Sequence, residues 1–146
     1  MSYYLDTTVV LIAAGPADHP QKEACSAVLT MIAEDRCSAH LSVETLTECL
    51  HAATWHQARH LGLEAVRHLL LLFPHPIPIT GIVLSGTVQL LQAHPRLGAR
   101  AALHASAAQT VDCQEIISFD TDFGLIPGFR RWEPAQIVAG QASKAR

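Results

Sequence analysis

Two short apolar runs, each closed by an aspartate, constrain this chain more than any other feature. Tyr3-Tyr4-Leu5 ends at Asp6, and the run 115–119 (EIISF) ends at Asp120. Runs this short, aromatic and β-branched, read as buried strands. Stretches of helical period lie between them. Residues from Thr7 form a short helix that Gly15-Pro16 stops, and apolar residues at 24, 27, 28, 31 and 32 predict a helix over 21–34. A second short strand is expected over 37–41. Ser42 is a good N-cap for a helix over 43–59, with Thr45 and Glu48 at capping-box spacing. Gly62 breaks that helix from the next, over 63–73. Pro74, Pro76 and Pro78 alternate with His75, Ile77 and Ile79, which suits an edge strand or an extended connection. Helices over 81–94 and 99–110 follow, the second rich in alanine, and a last short strand covers 131–133. Strands alternating with helices predict an α/β fold: a parallel sheet with helices on both faces. Ligands gather at the carboxyl ends of such strands, where Asp6 and Asp120 stand.

The chain has 146 residues, 49% of them hydrophobic and 16% charged. That composition excludes a disordered chain and fits one domain, 1–139, with a small polar tail at 140–146. A net charge of −3 and 5% aromatics exclude a freestanding basic nucleic-acid binder and a broad base-stacking platform. Contact with nucleic acid then needs a local patch or a bound metal. Cys25, Cys37, Cys49 and Cys113 form no CxxC pair, so they read as buried, reduced thiols of a cytoplasmic protein. The first residues lack a basic signal-peptide region, and no apolar run reaches ~18 residues, so no membrane span is expected.

Nucleotide loops and the serine-hydrolase elbow are absent from the sequence. The chemistry therefore falls to the few carboxylates. Asp6 and Asp120 follow strands, Asp122 lies two residues beyond, and Glu44 and Glu48 sit four apart on one helix face. Acids converging at a sheet edge repel unless a cation joins them, and Mg²⁺ or Mn²⁺ takes carboxylate oxygens. Metal-assisted phosphodiester hydrolysis is the reaction such a cluster supports. Four of these acids also have a plainer role. Glu44 opposes a helix dipole, Asp122 caps a turn, Asp6 caps the helix it precedes, and Glu48 is a surface charge. Of nine histidines, His51, His56 and His60 share a helix, but HQARH lacks the glutamate of a zinc-protease motif. His104 reads as a packing or hydrogen-bonding residue, and Trp55 as core or as an interface anchor.

Together, LDTTV at 5–9, LTECL around Glu48, ALHA at 102–105 and SFDTDF at 118–123 resemble the PIN-domain family. The likeness is strongest to the VapC-type toxins of bacterial toxin–antitoxin pairs, and it runs from Tyr4 to about Trp132. It implies a PIN-like three-layer α/β fold, a central parallel sheet flanked by helices. It also implies a Mg²⁺- or Mn²⁺-dependent endoribonuclease that cuts RNA, forms homodimers and is restrained by a VapB-type antitoxin. Carried over residue by residue, the catalytic acids and metal ligands are Asp6, Glu48 and Asp120, with Asp122 as a further ligand. Thr7, Ser118 and Glu44 support them. Arg100, Arg59 and Arg130 are expected to meet RNA, with Arg67, Arg96 and Arg131 as further basic candidates.

One position departs from the family pattern. The aspartate that the family places before the ALHA-like segment is Ala101 here. Alanine ligates no metal, so the resemblance implies a weakened or inactive nuclease. A degenerate member and a deliberate replacement both account for it. A PIN-like module that binds RNA or protein without cutting is the alternative.

Overall fold

A computed structural model describes residues 1–144, with side chains through Gly140. Its elements in chain order are β1 (Ser2–Leu5), α1 (Thr7–Ala14), α2 (Lys22–Ala33), β2 (Ser38–His40), α3 (Val43–Trp55), α4 (Arg59–Leu72), α5 (Gly81–Ala93), α6 (Ala99–Gln109), β3 (Glu115–Ile117), a 3₁₀ turn (Thr121–Leu125), β4 (Arg130–Trp132) and α7 (Pro134–Lys144). The four strands form one sheet in the order β2-β1-β3-β4. Every pairing is parallel, with Tyr4 beside Ile116 and His40, and Ile117 beside Trp132.

Side chains alternate across a strand, and the sheet uses this to build two cores. Leu5 and Ile117 face one, with Val9, Val10, Val28, Ile32 and Cys49. Tyr4 and Ile116 face the other, with Val83, Ala101, Ala105 and Phe123. Helices thus cover both faces of the parallel sheet, as the strand–helix alternation predicts. All four cysteines are free and buried. Burial raises the Cys25 thiol pKa to about 11.

Local chemistry sets most boundaries. Asp6 caps α1 by accepting from Thr7 N, and Lys22 Nζ closes its far end on the carbonyls of Ala13 and Gly15 at 2.8 and 2.6 Å. Ser42 caps α3 by accepting from Thr45 N at 3.4 Å. The proline-rich connection is extended: Ile77 N donates to Leu41 O, and Val43 N to Ile77 O. It adds a single parallel bridge beside β2.

Two expectations need correction. The break after α3 falls at residues 56–58, where Gln57 takes φ 55°, and Gly62 lies inside α4. Gly62 is there for contact, because a Cβ on it would lie 2.2 Å from Ala53 Cβ. Trp55, for which core packing was the first reading, is 85% exposed at the end of α3. The tail expected from Gly140 falls mainly outside the residues whose side chains are described. No helix among the described residues is long and apolar enough to cross a membrane.

Candidate active site

β1 and β3 lie side by side and end together, so Asp6 and the segment 118–120 leave the sheet at the same edge. Asp6 is fully buried. Its Oδ1 accepts from Thr7 N at 2.8 Å, and its Oδ2 accepts from Thr8 Oγ1 at 2.8 Å and Ser118 Oγ at 2.5 Å. Ser118 Oγ in turn accepts from Asp120 N at 2.9 Å. One hydroxyl therefore ties the acid of β1 to the acid beyond β3. Asp120 also caps the 3₁₀ turn, accepting from Asp122 N at 2.9 Å.

Glu48 arrives from α3, the fourth position along the helix from Glu44. Thr7 Oγ1 donates to its Oε2, and His104 Nε2 lies 3.0 Å from the same oxygen. His104 comes from α6, is fully buried, and holds the Tyr4 hydroxyl at 2.6 Å through Nδ1. Tyr4 gives its one hydroxyl hydrogen to Ser42 Oγ at 2.7 Å. Burial pushes the Tyr4 pKa well above the ordinary tyrosine range, so the hydroxyl stays neutral. Burial alone would raise the Glu48 pKa. The hydrogen bonds from His104 and Thr7 and the charge of Arg100 outweigh it and bring the carboxyl down to about 2.

The three acids converge on Arg100. Its Nη2 is 2.5 Å from Asp6 Oδ1, its Nε 2.9 Å from Glu48 Oε1, and its Nη1 3.4 Å from Asp120 Oδ2. Burial works against the guanidinium's charge. The surrounding carboxylates prevail, and its pKa lies above the usual arginine range. Among the described residues, no three His, Cys, Asp or Glu side chains are placed to hold a metal ion. The space between the three carboxylates holds a guanidinium, so the residues as placed do not fit a divalent ion.

Several candidates stand elsewhere. Asp122 Oδ2 accepts from Gly98 N at 2.9 Å and so caps α6 from outside, since Gly98 brings no side chain. Glu44 lies in the first turn of α3, where it opposes the helix dipole. Arg59 is exposed at the start of α4. Arg130 begins β4 beside Glu115, at the opposite end of the strands from Asp6, and rests over the Trp132 ring. Of the basic residues expected to meet RNA, Arg100 points into the acids instead. Arg131 lies nearer the site edge, donating to Ser118 O at 3.0 Å. Ala101 is buried beside Arg100 on α6 and packs into the second core. His51, His56 and His60 are exposed on α3, the following turn and α4.

Sequence alone does not mark Tyr4 as a site residue, and His104 reads from it only as a packing or hydrogen-bonding residue. A signal was present: Arg100 and His104 are four apart on a helix, the spacing that put Glu44 and Glu48 on one face.

A second surface feature lies nearby. A groove of about 680 Å³ runs between α1, α3 and α4, lined by Val10, Leu11, Ala53, Leu61 and neighbours. On α5, Ile82, Leu84 and Val88 are exposed, and Leu71 at the end of α4 is 80% exposed.

A family model described as PIN domain matches residues 3–128. No curated protein matches the sequence. Among solved structures, the chain resembles VapBC2 from Rickettsia felis, solved bound to a DNA fragment from its promoter. The identity is 17%, the TM-score 0.70, and the match covers 91% of this chain and 100% of that one. It resembles FitAcB from Neisseria gonorrhoeae at 21% identity and TM-score 0.71, covering 92% and 99%. A toxin–antitoxin complex from Klebsiella pneumoniae matches at 21% identity and TM-score 0.64, covering 90% and 97%. At these identities the structural likeness speaks for the fold.

Proposed function

The chain belongs to the PIN domain family, and from that membership we propose that it is the toxin component of a toxin–antitoxin pair. On this reading it is a VapC-type endoribonuclease whose power to cleave RNA phosphodiesters is lost or weakened. The observation that carries the reading is the convergence of Asp6, Glu48 and Asp120, from three separate elements, on one cationic group. Convergent carboxylates at a sheet edge are the scaffold of metal-assisted phosphodiester chemistry, and PIN nucleases use divalent ions such as Mg²⁺ or Mn²⁺. Any such ion would meet these same three acids, with Asp122 and Glu44 outside the cluster. Ala101 stands where the family pattern has a fourth acid.

The chain's own residues supply the framework for that chemistry. Thr7, Thr8 and Ser118 saturate Asp6 with hydrogen bonds, and His104 and Thr7 fix one oxygen of Glu48. The acids therefore hold their geometry without an ion, which is preorganisation of the kind catalysis requires.

The partner is a VapB-type antitoxin, a reading supported by the neighbours, which include a toxin–antitoxin complex. Its apolar anchor would lie in the groove between α1, α3 and α4, and the exposed apolar face of α5 suits a homodimer. A cytoplasmic location goes with this function.

A second reading, a PIN-like module that binds RNA or protein without cutting, is favoured by the guanidinium lodged among the acids. The test compares RNA cleavage by this chain and by Ala101→Asp, each with Mg²⁺ or Mn²⁺ and with chelator. The nuclease reading expects cleavage by Ala101→Asp that chelator abolishes, and little or none by the chain as it stands. A folded Ala101→Asp protein that cuts no RNA across a broad panel would move the binding module to first place.

A further inference from the structure

We infer that Arg100 is the resident cation of the acid cluster, a built-in guanidinium that takes the place of a divalent ion and must leave before one can enter. The inference concerns the same site as the proposed function and rests on that reading for the identity of the cluster. It adds a statement about this chain alone: its affinity for divalent ions is set by an arginine on α6.

Geometry carries it. Each of three guanidinium nitrogens lies beside a different carboxylate, at 2.5, 2.9 and 3.4 Å: Nη2 and Nη1 donate to Asp6 and Asp120, and Nε makes an ion pair with Glu48. A guanidinium is a planar fork of donors and no acceptors, suited to acids arriving from several sides. Asp6 is fully buried, Glu48 and Asp120 are 21% and 29% exposed, and none of them moves far without breaking bonds to Thr7, Ser118 or Asp122. The arginine is the adaptable member. Its side chain is 36% exposed, so its stem has a way out to solvent.

Charge and space then decide the competition. Mg²⁺ demands carboxylate oxygens at about 2.0–2.1 Å in near-octahedral array. The guanidinium fills the volume where that array would be centred, so ion and arginine exclude one another. Three carboxylates against one guanidinium leave the cluster net negative, and a divalent ion retains a reason to enter once the arginine withdraws.

The test is ion binding, read without RNA. Mn²⁺ is titrated into the full-length chain and into Arg100→Gln, with free ion followed by electron paramagnetic resonance and folding by circular dichroism. Arg100→Gln should bind Mn²⁺ at least ~10-fold more tightly than the parent, because one positive charge has left the site. Adding Asp6→Asn should remove the gain. Equal affinities for the parent and Arg100→Gln would overturn the inference.

Should Arg100→Gln fail to fold, the parent itself carries the test. The ¹⁵N resonance of Arg100 Nε is followed as Mg²⁺ is added. Resistance to millimolar Mg²⁺ supports a resident arginine, and saturation at micromolar Mg²⁺ overturns it. The two readings fail separately. Gain of Mn²⁺ by Arg100→Gln with no RNA cleavage by Ala101→Asp sinks the nuclease alone. Cleavage by Ala101→Asp without gain by Arg100→Gln sinks the arginine alone.

Discussion

His104 Nε2 stands 3.0 Å from Glu48 Oε2, while the opposite nitrogen of the same ring stands 2.6 Å from the Tyr4 hydroxyl. A carboxylate only accepts, so Nε2 carries the hydrogen that Glu48 receives. The imidazole joins the second core to the acid cluster, and its ring meets Tyr4 edge-on with centroids 5.7 Å apart. With Thr7 and His104 both on Oε2, the other oxygen of Glu48 is left to Arg100.

Removing this ring should therefore cost more than lost packing. His104→Ala opens a cavity and takes one partner from the Tyr4 hydroxyl, which keeps Ser42, and one from Glu48 Oε2, which keeps Thr7; we expect a loss of about 2–4 kcal/mol of stability. His104→Gln keeps one donor toward Glu48 and should recover at least ~1 kcal/mol of that. Urea unfolding of the three proteins checks both. Equal stability for parent and His104→Ala would mean that the contacts of Tyr4 and Glu48 with the ring contribute nothing net.

Glu48 makes stability depend on acid. Its pKa is held down at about 2, against 4.5 for the free side chain. A depressed carboxyl contributes fully above the unfolded value and loses that contribution as pH falls toward the folded one. The window is therefore pH 4.5 down to about 2. The contribution lost across it is at most about 3 kcal/mol. Glu48→Gln should show a shallower fall in unfolding free energy across this window than the parent. Parallel curves would refute the assignment.

Ser118 bonds both strand-end acids, so its loss should be felt at each. Ser118→Ala takes a donor from buried Asp6 and an acceptor from Asp120 N. The expected cost is about 1.5–3 kcal/mol, the range for hydrogen bonds to charged groups. Thr8→Ala removes one donor from the same Asp6 oxygen, but Thr8 is half-buried and bonds one acid only, so it should cost less. Thermal melting ranks the pair, and the reverse order would place the burden of holding Asp6 on Thr8.

Much of this was legible beforehand because local chemistry decided it. β1 and β3 are short apolar runs with aspartates behind them, and their parallel pairing puts Asp6 and Asp120 at one edge. Ser42 caps α3 as its type and position suggest, and Glu48 then falls on the face that meets Thr7 of α1 and His104 of α6. Asp6 shows where the plainer and the functional readings merge, since it caps α1 and belongs to the cluster at once. Arg100 was misread because an arginine near a helix start is usually a solvated charge. Only the tertiary placement of α6 against Asp6 and Glu48 turns it inward. Arg130 was misplaced for a similar reason, as sequence does not say which end of a three-residue strand meets the site.

Gly62 shows how a strong local signal can point at the wrong cause. Glycine costs roughly 1 kcal/mol in a helix interior relative to alanine, and on that ground it reads as a break. The chain turns instead at Gln57, which accepts a left-handed backbone without glycine. Gly62 is retained inside α4 because α3 comes too close for a side chain: a Cβ there would stand 2.2 Å from that of Ala53. Gly62→Ala gains helix propensity of roughly 1 kcal/mol but must push α3 and α4 apart, an overpacking cost of about 1–3 kcal/mol or more. Two Cβ atoms this close put the cost at the upper end, so the net effect should be destabilising. Ala53→Gly in the same protein removes the clash. The double variant should then recover much of the loss, apart from the helix cost of the new glycine. Chemical unfolding of the two single variants and the double one measures the coupling. Additive effects would mean that the helices separate freely at this contact, and a more stable Gly62→Ala protein would make the glycine a helix defect after all.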